Sequence, residues 1–323
     1  MPGGAPWKAP NAAELDKLSM GDWLATQGLS AHNRLSFDVA ALLTDGAAPA
    51  KLGLLQYLSM INSANGDYGR LEDIKNGAQQ TRFVGGSQQL SIRMARELGA
   101  KVRLSAPVRK IRGWDREVAE IETDREIVRA RRVSMALSPP LCDQIFFDPP
   151  LPEGRARLQK LWPTSPFRKT ALVYSRPFWR ENNLNGQIMQ ADGPLIWSFD
   201  NSPPDGAVGV IGAFVRPELL PADPTGAERI LSGIYAQALG EKALHPIQYH
   251  ELDWGKIDSW SLSCISPIPP GFWTKWGTYL HPAVGRLIWS GTETAEIYAG
   301  GMDGAVRSGH RAALYAPNSL VQG

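Results

Sequence analysis

The stretch that most constrains this chain lies near its end. Arg286-Leu287-Ile288-Trp289 leads into Ser290-Gly291-Thr292-Glu293-Thr294, then Tyr298-Ala299-Gly300-Gly301-Met302-Asp303-Gly304-Ala305. The apolar run predicts a short buried strand. The glycines permit a tight turn and close backbone approach to whatever lies against it. The segment from Met302 through Ala305, Val306, Ala312 and Ala313 predicts a helix. A strand, a glycine turn and a helix start together offer N–H groups and a positive dipole end to electron-rich oxygens. The same parts also make an ordinary corner whose glycines only ease packing, and spacing alone leaves both readings open.

Composition narrows the class. The chain has 323 residues and 43% apolar content, enough for one large or two medium domains with a substantial core. A net charge of +2 without a long basic block argues against nucleic acid. Arg125, Arg129, Arg131 and Arg132 form the densest basic patch and read as a solvated strand face. Two cysteines, Cys142 and Cys264, exclude a disulfide framework, and neither they nor the five histidines show metal spacing, so no metal site is expected. No run approaches the ~18 apolar residues of a membrane span. No signal peptide opens the chain, which points to the cytoplasm.

Along the chain, residues 11–66 read as mostly helical, with a helix expected to start at Trp23 behind an Asp22 cap. Leu35, Val39, Leu42 and Leu43 repeat at helical spacing, as do Leu54, Leu55 and Leu58. After Gly85-Gly86-Ser87, Leu90, Ile92, Met94 and Leu98 predict another helix. Short strands are expected at Val102–Leu104, Val108–Ile111, Val118–Ile121 and Ile127–Val133, then at Thr170–Tyr174, Leu195–Phe199 and Val208–Val215. A helix carrying Ile230, Ile234, Tyr235 and Leu239 follows.

The residues of the C-terminal stretch closely resemble the flavin-contacting motif of the flavin amine oxidases, the monoamine oxidase family. Other landmarks agree in order: Ala5-Pro6-Trp7-Lys8-Ala9-Pro10, Arg82-Phe83-Val84-Gly85-Gly86-Ser87, Phe147-Asp148-Pro149-Pro150-Leu151-Pro152 and Pro177-Phe178-Trp179. The resemblance runs from about residue 5 to about residue 315. It implies an α/β fold of mixed helices and sheets, in which an FAD-binding domain is interwoven with a mixed-sheet substrate domain. The expected segments are 1–79 (helical part of the substrate domain), 80–158 (FAD-binding), 159–257 (substrate sheet and helices) and 258–323 (FAD-binding). The family opens with a βαβ unit whose Gly-x-Gly-x-x-Gly loop carries the dinucleotide pyrophosphate. No such motif occurs in this sequence. The chain is then expected to be a fragment, or one half of a split enzyme whose partner supplies that unit. A short protein that has lost flavin binding is the third possibility.

Within the resemblance, Gly291, Thr292, Glu293, Gly301 and Met302 lie against FAD, and Val108 contacts its adenine end through the backbone. Lys169 matches the lysine that reaches the flavin N5 through a water, where desolvation and the flavin tune its proton affinity. Arg168 beside it is expected on the opposite strand face. Trp254 matches a residue packed near the flavin. Ser263 stands where mammalian members carry the cysteine of a covalent thioether, and Cys264 is one residue late, so FAD is expected to be non-covalent. The two tyrosines of the family's aromatic cage fall on Cys264 and Gly301. The cage is therefore absent, and a larger or differently shaped substrate is expected, lined by Tyr298 or Trp260.

The resemblance implies FAD-dependent oxidation of a small-molecule amine. A hydride equivalent leaves the carbon bearing an unprotonated amine, the imine hydrolyses, and O2 reoxidises the flavin to give hydrogen peroxide. An amino-acid, polyamine or other flavin oxidase of the same superfamily and a catalytically inactive binding protein remain as alternatives.

Overall fold

A computed structural model describes residues 1–323 apart from 74, 75, 79, 166, 167, 191, 263–265 and 319–323. Its strands are β1 (Val108–Arg112), β2 (Ala119–Thr123), β3 (Ile127–Ala130), β4 (Val133–Met135), β5 (Phe146–Asp148), β6 (Arg168–Tyr174), β7 (Leu195–Asp200), β8 (Gly209–Val215), β9 (Gln248–Leu252) and β10 (Leu287–Trp289). The longer helices are α1 (Ala31–Asp45), α2 (Leu54–Ser63), α3 (Gln88–Leu98), α4 (Glu153–Leu161), α5 (Pro224–Leu239) and α6 (Met302–Asn318). They fall into two compact units, one of residues 1–18, 53–162 and 268–323, the other of 19–52 and 163–267.

The first unit holds two sheets. One has the order β3-β2-β1-β5, with β1 antiparallel to β2 and parallel to β5. The other pairs β10 with β4 in parallel, and all three residues of β10 are buried, as parallel strands require. The unit's aromatic core includes Leu55, Leu158, Trp162, Phe272, Trp273 and Leu280. Asp16 accepts from the Thr274 N–H (2.8 Å) and hydroxyl (2.6 Å), tying the N-terminal segment to that core. Residues 1–18 and 53–78 fall in this compact unit together with the segment that follows them. Burial of Ala12 and Leu55 against Phe272 and Trp273 is the physical reason.

The second unit is a four-stranded antiparallel sheet, β7-β8-β6-β9, with α5 on one face. On β6, Arg168, Thr170, Leu172 and Tyr174 are buried while Lys169 is exposed, the period-2 pattern of a strand covered on one side. Leu172, Ile211, Ala213 and Val215 meet Leu231, Tyr235 and Leu239 of α5 in the core. Asp223 caps α5 by accepting from the Gly226 N–H at 2.6 Å.

Several local expectations change. The early helix spans Met20–Ala25, not Trp23 onward, because Ser19 caps it and forms a reciprocal capping box with Asp22. Val102–Leu104 forms no strand: Leu104 is 76% exposed and Ser105 turns through a positive φ of 53°. The expected strand Ile127–Val133 is split after Ala130, and Val133–Met135 joins β10 in the other sheet. β9 was not foreseen, because Gln248-Tyr249-His250-Glu251-Leu252 lacks an apolar alternation strong enough to announce it. α3 forms where its periodicity predicts but buries none of its residues. Among the described residues no helix is long and apolar enough to cross a membrane, and no group of His, Cys, Asp and Glu could hold a metal ion.

Candidate active site

The C-terminal corner of the first unit is built largely from backbone. Parallel pairing of β10 with β4 delivers the chain to Ser290, whose N–H donates to the Met135 carbonyl at 3.0 Å. The Ser290 and Ser134 hydroxyls meet at 2.9 Å. Gly291 then adopts φ 101°, a left-handed value that a side chain would strain. Thr294 closes the turn by donating its hydroxyl to the Gly291 carbonyl at 2.9 Å. The Thr292 hydroxyl donates to the Gly301 carbonyl at 2.8 Å, so the turn is fastened to the start of α6.

Helix α6 approaches this turn closely because of another glycine. A Cβ on Gly304 would collide with the Tyr298 carbonyl and come within 3.0 Å of the Ala295 Cβ. Tyr298 itself has φ 52° and precedes Gly300 at φ 85°. Two side chains of α6 return to the turn. Ser308 accepts from the Gly291 N–H at 3.0 Å. The Arg311 guanidinium donates to the Thr294 carbonyl (2.6 Å), the Thr294 hydroxyl (2.7 Å) and the Trp289 carbonyl (3.2 Å).

Two ionisable groups beside this corner are displaced by burial. Glu293 has its carboxyl raised above the usual range by desolvation. The Cys142 thiol is pushed up to about 12 by the same cause, which makes it inert. Beneath the turn, Arg155 lies 3.5 Å from the Trp289 ring centroid and donates to the Tyr279 (3.1 Å) and Leu280 (2.9 Å) carbonyls. Burial lowers its guanidinium to about 10.

The second unit carries a different kind of surface. Lys169 pairs in register with Phe214, Phe214 with Trp197, and Phe199 with Gly212, so these side chains share one sheet face. The Lys169 ammonium lies 5.2 Å from the Phe214 centroid and 5.6 Å from that of Phe199. The three rings are mutual neighbours: Trp197–Phe199 at 4.9 Å, Phe199–Phe214 at 6.3 Å, and Trp197 stacked on Phe214 at 6.4 Å. Arg168, as expected, lies on the opposite face, where it is buried and pairs with Glu251 at 3.0 Å.

The sequence-predicted residues therefore separate. Gly291, Thr292, Glu293, Tyr298, Gly301 and Met302 come together in the corner of the first unit. Val108 heads β1 in the other sheet of that unit, paired with Thr123. In the second unit, Trp254 is half exposed and follows two residues after Leu252, the register partner of Lys169. Ser263 and Cys264 lie outside the described residues. Trp197, Phe199, Phe214, Arg155 and Arg311 were missed. The alternation in Trp197-Ser198-Phe199 was a usable signal for the aromatic face, whereas nothing local distinguishes Arg155 or Arg311 from surface arginines.

The family model for flavin containing amine oxidoreductase matches residues 3–315. A Mycobacterium tuberculosis protein named as a flavin-containing monoamine oxidase, AofH, is 36% identical over 318 residues, covering 97% of this chain and 69% of that protein. The flavin-containing amine oxidase A of Bos taurus is 31% identical over 328 residues, covering 99% of this chain and 62% of that one. Among solved structures, cyclohexylamine oxidase from Brevibacterium oxydans IH-35A aligns with a TM-score of 0.91 at 29% identity, over 99% of this chain and 72% of that one. Wild-type putrescine oxidase bound to putrescine aligns with a TM-score of 0.85 at 29% identity, over 99% and 72%.

Proposed function

Because this chain belongs to the flavin-containing amine oxidoreductases, FAD-dependent enzymes that oxidise amines, we propose that its C-terminal corner holds the flavin and the Lys169 face of its second unit receives the amine, with O2 as acceptor. When bound, FAD supplies the redox chemistry, taking a hydride equivalent from the carbon that bears the amine.

The corner fits such a group. Gly291 at φ 101° and Gly301 before α6 leave backbone open to close approach, and α6 turns its N-terminus toward the same turn. Gly291, Thr292, Gly301 and Met302 would hold electron-rich oxygens there. Glu293, whose carboxyl burial raises above the usual range, stands in the same turn. We assign Val108 and Trp254 to further cofactor contacts, and Tyr298 and Cys264 to the substrate, from the resemblance alone. Serine at 263 has no thiol to form a thioether, so FAD is held non-covalently, and acid precipitation should release all of the yellow colour into the supernatant.

The single observation that carries the amine reading is Lys169 emerging over an aromatic face while Arg168 is locked beneath the sheet by Glu251. Lys169 would hold a water and a proton at that face, and Arg168 is committed elsewhere than to a substrate carboxylate, which weighs against an amino acid oxidase. The test is anaerobic addition of cyclohexylamine or benzylamine to the FAD-loaded protein. Bleaching of the flavin band, followed by its return with hydrogen peroxide on admitting air, is expected. A protein that retains FAD but is reduced by no amine would be a binding protein instead.

A nucleotide-binding βαβ segment supplied by a separate chain would complete this reading. It would cover α3, where Met94 and Leu98 are about half exposed, together with Val84 at 99% and Leu104 at 76%. Supplying such a segment should raise FAD retention, and unchanged retention would count against it.

A further inference from the structure

We infer that Glu251 is a positioning residue for Lys169: by holding Arg168 beneath the sheet, it keeps the start of β6 in the register that turns Lys169 outward. This role rests on the assignment of Lys169 to the amine and O2 chemistry. Two cations stand side by side at the start of β6, and alternation sends one of them into the core. Leu172 and Tyr174 are buried, so Arg168, in phase with them, is buried too, at 6% exposure. A slip of one residue would exchange the two faces and put Lys169 inside.

The backbone ladder ends at this point, where a strand opens first. Lys169 and Leu252 are the terminal pair between β6 and β9, and Arg168 has no β9 partner in register. Side chains continue the contact where the backbone stops. Arg168 Nη1 lies 3.0 Å from Glu251 Oε1, and the Tyr249 hydroxyl donates to Glu251 Oε2 at 2.7 Å. The carboxylate, steadied by Tyr249 of its own strand, thus ties β9 to β6 one residue beyond the ladder.

Stability does not account for such a pair, since packed apolar residues in place of a buried ion pair are often as stable or more so. The contact is an ion pair without hydrogen-bond alignment: neither Arg168 Nη1 nor Nε has a hydrogen-bond partner among the described residues. Thr170 Oγ1 and Tyr235 Oη, on the same covered side of the sheet, also lack partners there. Charge in so poorly satisfied a place fits a device for register, the best attested use of a buried pair. Without the carboxylate, a buried and unpaired guanidinium remains. It gains water only if the start of β6 loosens, and that displaces Lys169 beside it.

The experiment compares Glu251→Gln, Lys169→Met, their combination, and Arg168→Leu/Glu251→Leu, all as FAD-loaded enzyme with the nucleotide-binding segment present if loading requires it. Hydrogen exchange read by mass spectrometry should show amides of Arg168–Thr170 opening about ten-fold faster in Glu251→Gln, with those of α5 unchanged. Flavin reoxidation by O2 should slow about ten-fold in the same variant. Added to Lys169→Met, Glu251→Gln should slow it no further, a result that a merely structural role would not give. Arg168→Leu/Glu251→Leu, which has no guanidinium left to hydrate, should return both readouts to within about three-fold of wild type. Wild-type exchange and reoxidation in Glu251→Gln, a further slowing in the Lys169→Met background, or a leucine pair as impaired as Glu251→Gln would each overturn the role of Glu251 and leave the amine oxidase reading intact. A Lys169→Met enzyme that reoxidises at the wild-type rate would instead overturn the assignment of Lys169, and this role with it.

Discussion

The glycine corner of the first unit and the aromatic face of the second are built by opposite means. The corner is made mainly from one stretch of chain, Ser290 to Arg311, laid against β4, and its geometry is largely backbone geometry: Gly291 at φ 101°, Tyr298 at φ 52°, and Gly304 where a Cβ would strike a carbonyl. The aromatic face is made of side chains from β6, β7 and β8, aligned only by antiparallel register. A backbone site tolerates almost no change at its glycines but is indifferent to most of its side chains. A side-chain site is the reverse. It can be re-cut one residue at a time while the sheet beneath stays in place.

Four substitutions sharpen this contrast. The largest effect is expected for Gly304→Val. The clash with the Tyr298 carbonyl cannot be relieved by a side-chain rotation, so the turn must move, costing about 3 kcal/mol of stability. FAD should no longer co-elute on gel filtration, and retained flavin would show that the close approach is not needed. Next is Lys169→Met, which keeps the length of the side chain and removes its charge. Stopped-flow reoxidation by O2 should slow by about a hundred-fold, with circular dichroism unchanged. An unaltered oxygen reaction would remove Lys169 from the chemistry.

Gly291→Ala is milder, because alanine reaches φ 101° only under strain of about 1–3 kcal/mol. Thermal unfolding should report the loss, together with weaker FAD binding. The smallest effect is expected for Glu293→Gln, and it depends on pH. Burial raises the folded-state pKa of Glu293 above its ordinary 4.5, so the folded state holds that proton more tightly than the unfolded chain does. The associated stability is fully present below about pH 4.5 and is lost as pH rises through the folded-state value. The glutamine variant should therefore melt higher than wild type near neutrality, and the gap should close as pH falls toward 4.5. A gap that is constant with pH would mean that the carboxyl is not desolvated.

The division of the site explains which parts could be read in advance. The β10–turn–α6 corner was legible because all of its parts are adjacent in sequence, and an apolar run followed by glycines has few ways to fold. The alternation that exposes Lys169 and buries Arg168 was equally legible, since a strand allows nothing else. By contrast, Trp197 and Phe214 are brought together by pairing between β7 and β8, and nothing near either residue announces the other. Register is a tertiary property, fixed by which faces become buried against α5. Arg155 shows the same limit: its guanidinium settles on Trp289, more than a hundred residues away, and only the folded core makes that burial tolerable.

By itself the sequence determined the strands and helices whose periodicity is strong, the glycine corner, the family resemblance and the face on which Lys169 stands. These depend on local sterics and on short-range patterning, which every residue carries with it. Only the tertiary structure decided where Ile127–Val133 breaks between sheets, that Ser19 rather than Asp22 caps the early helix, and which aromatic rings surround the lysine. Those outcomes turn on competition between distant partners for hydrogen bonds and buried area. That competition has no winner until the chain has folded.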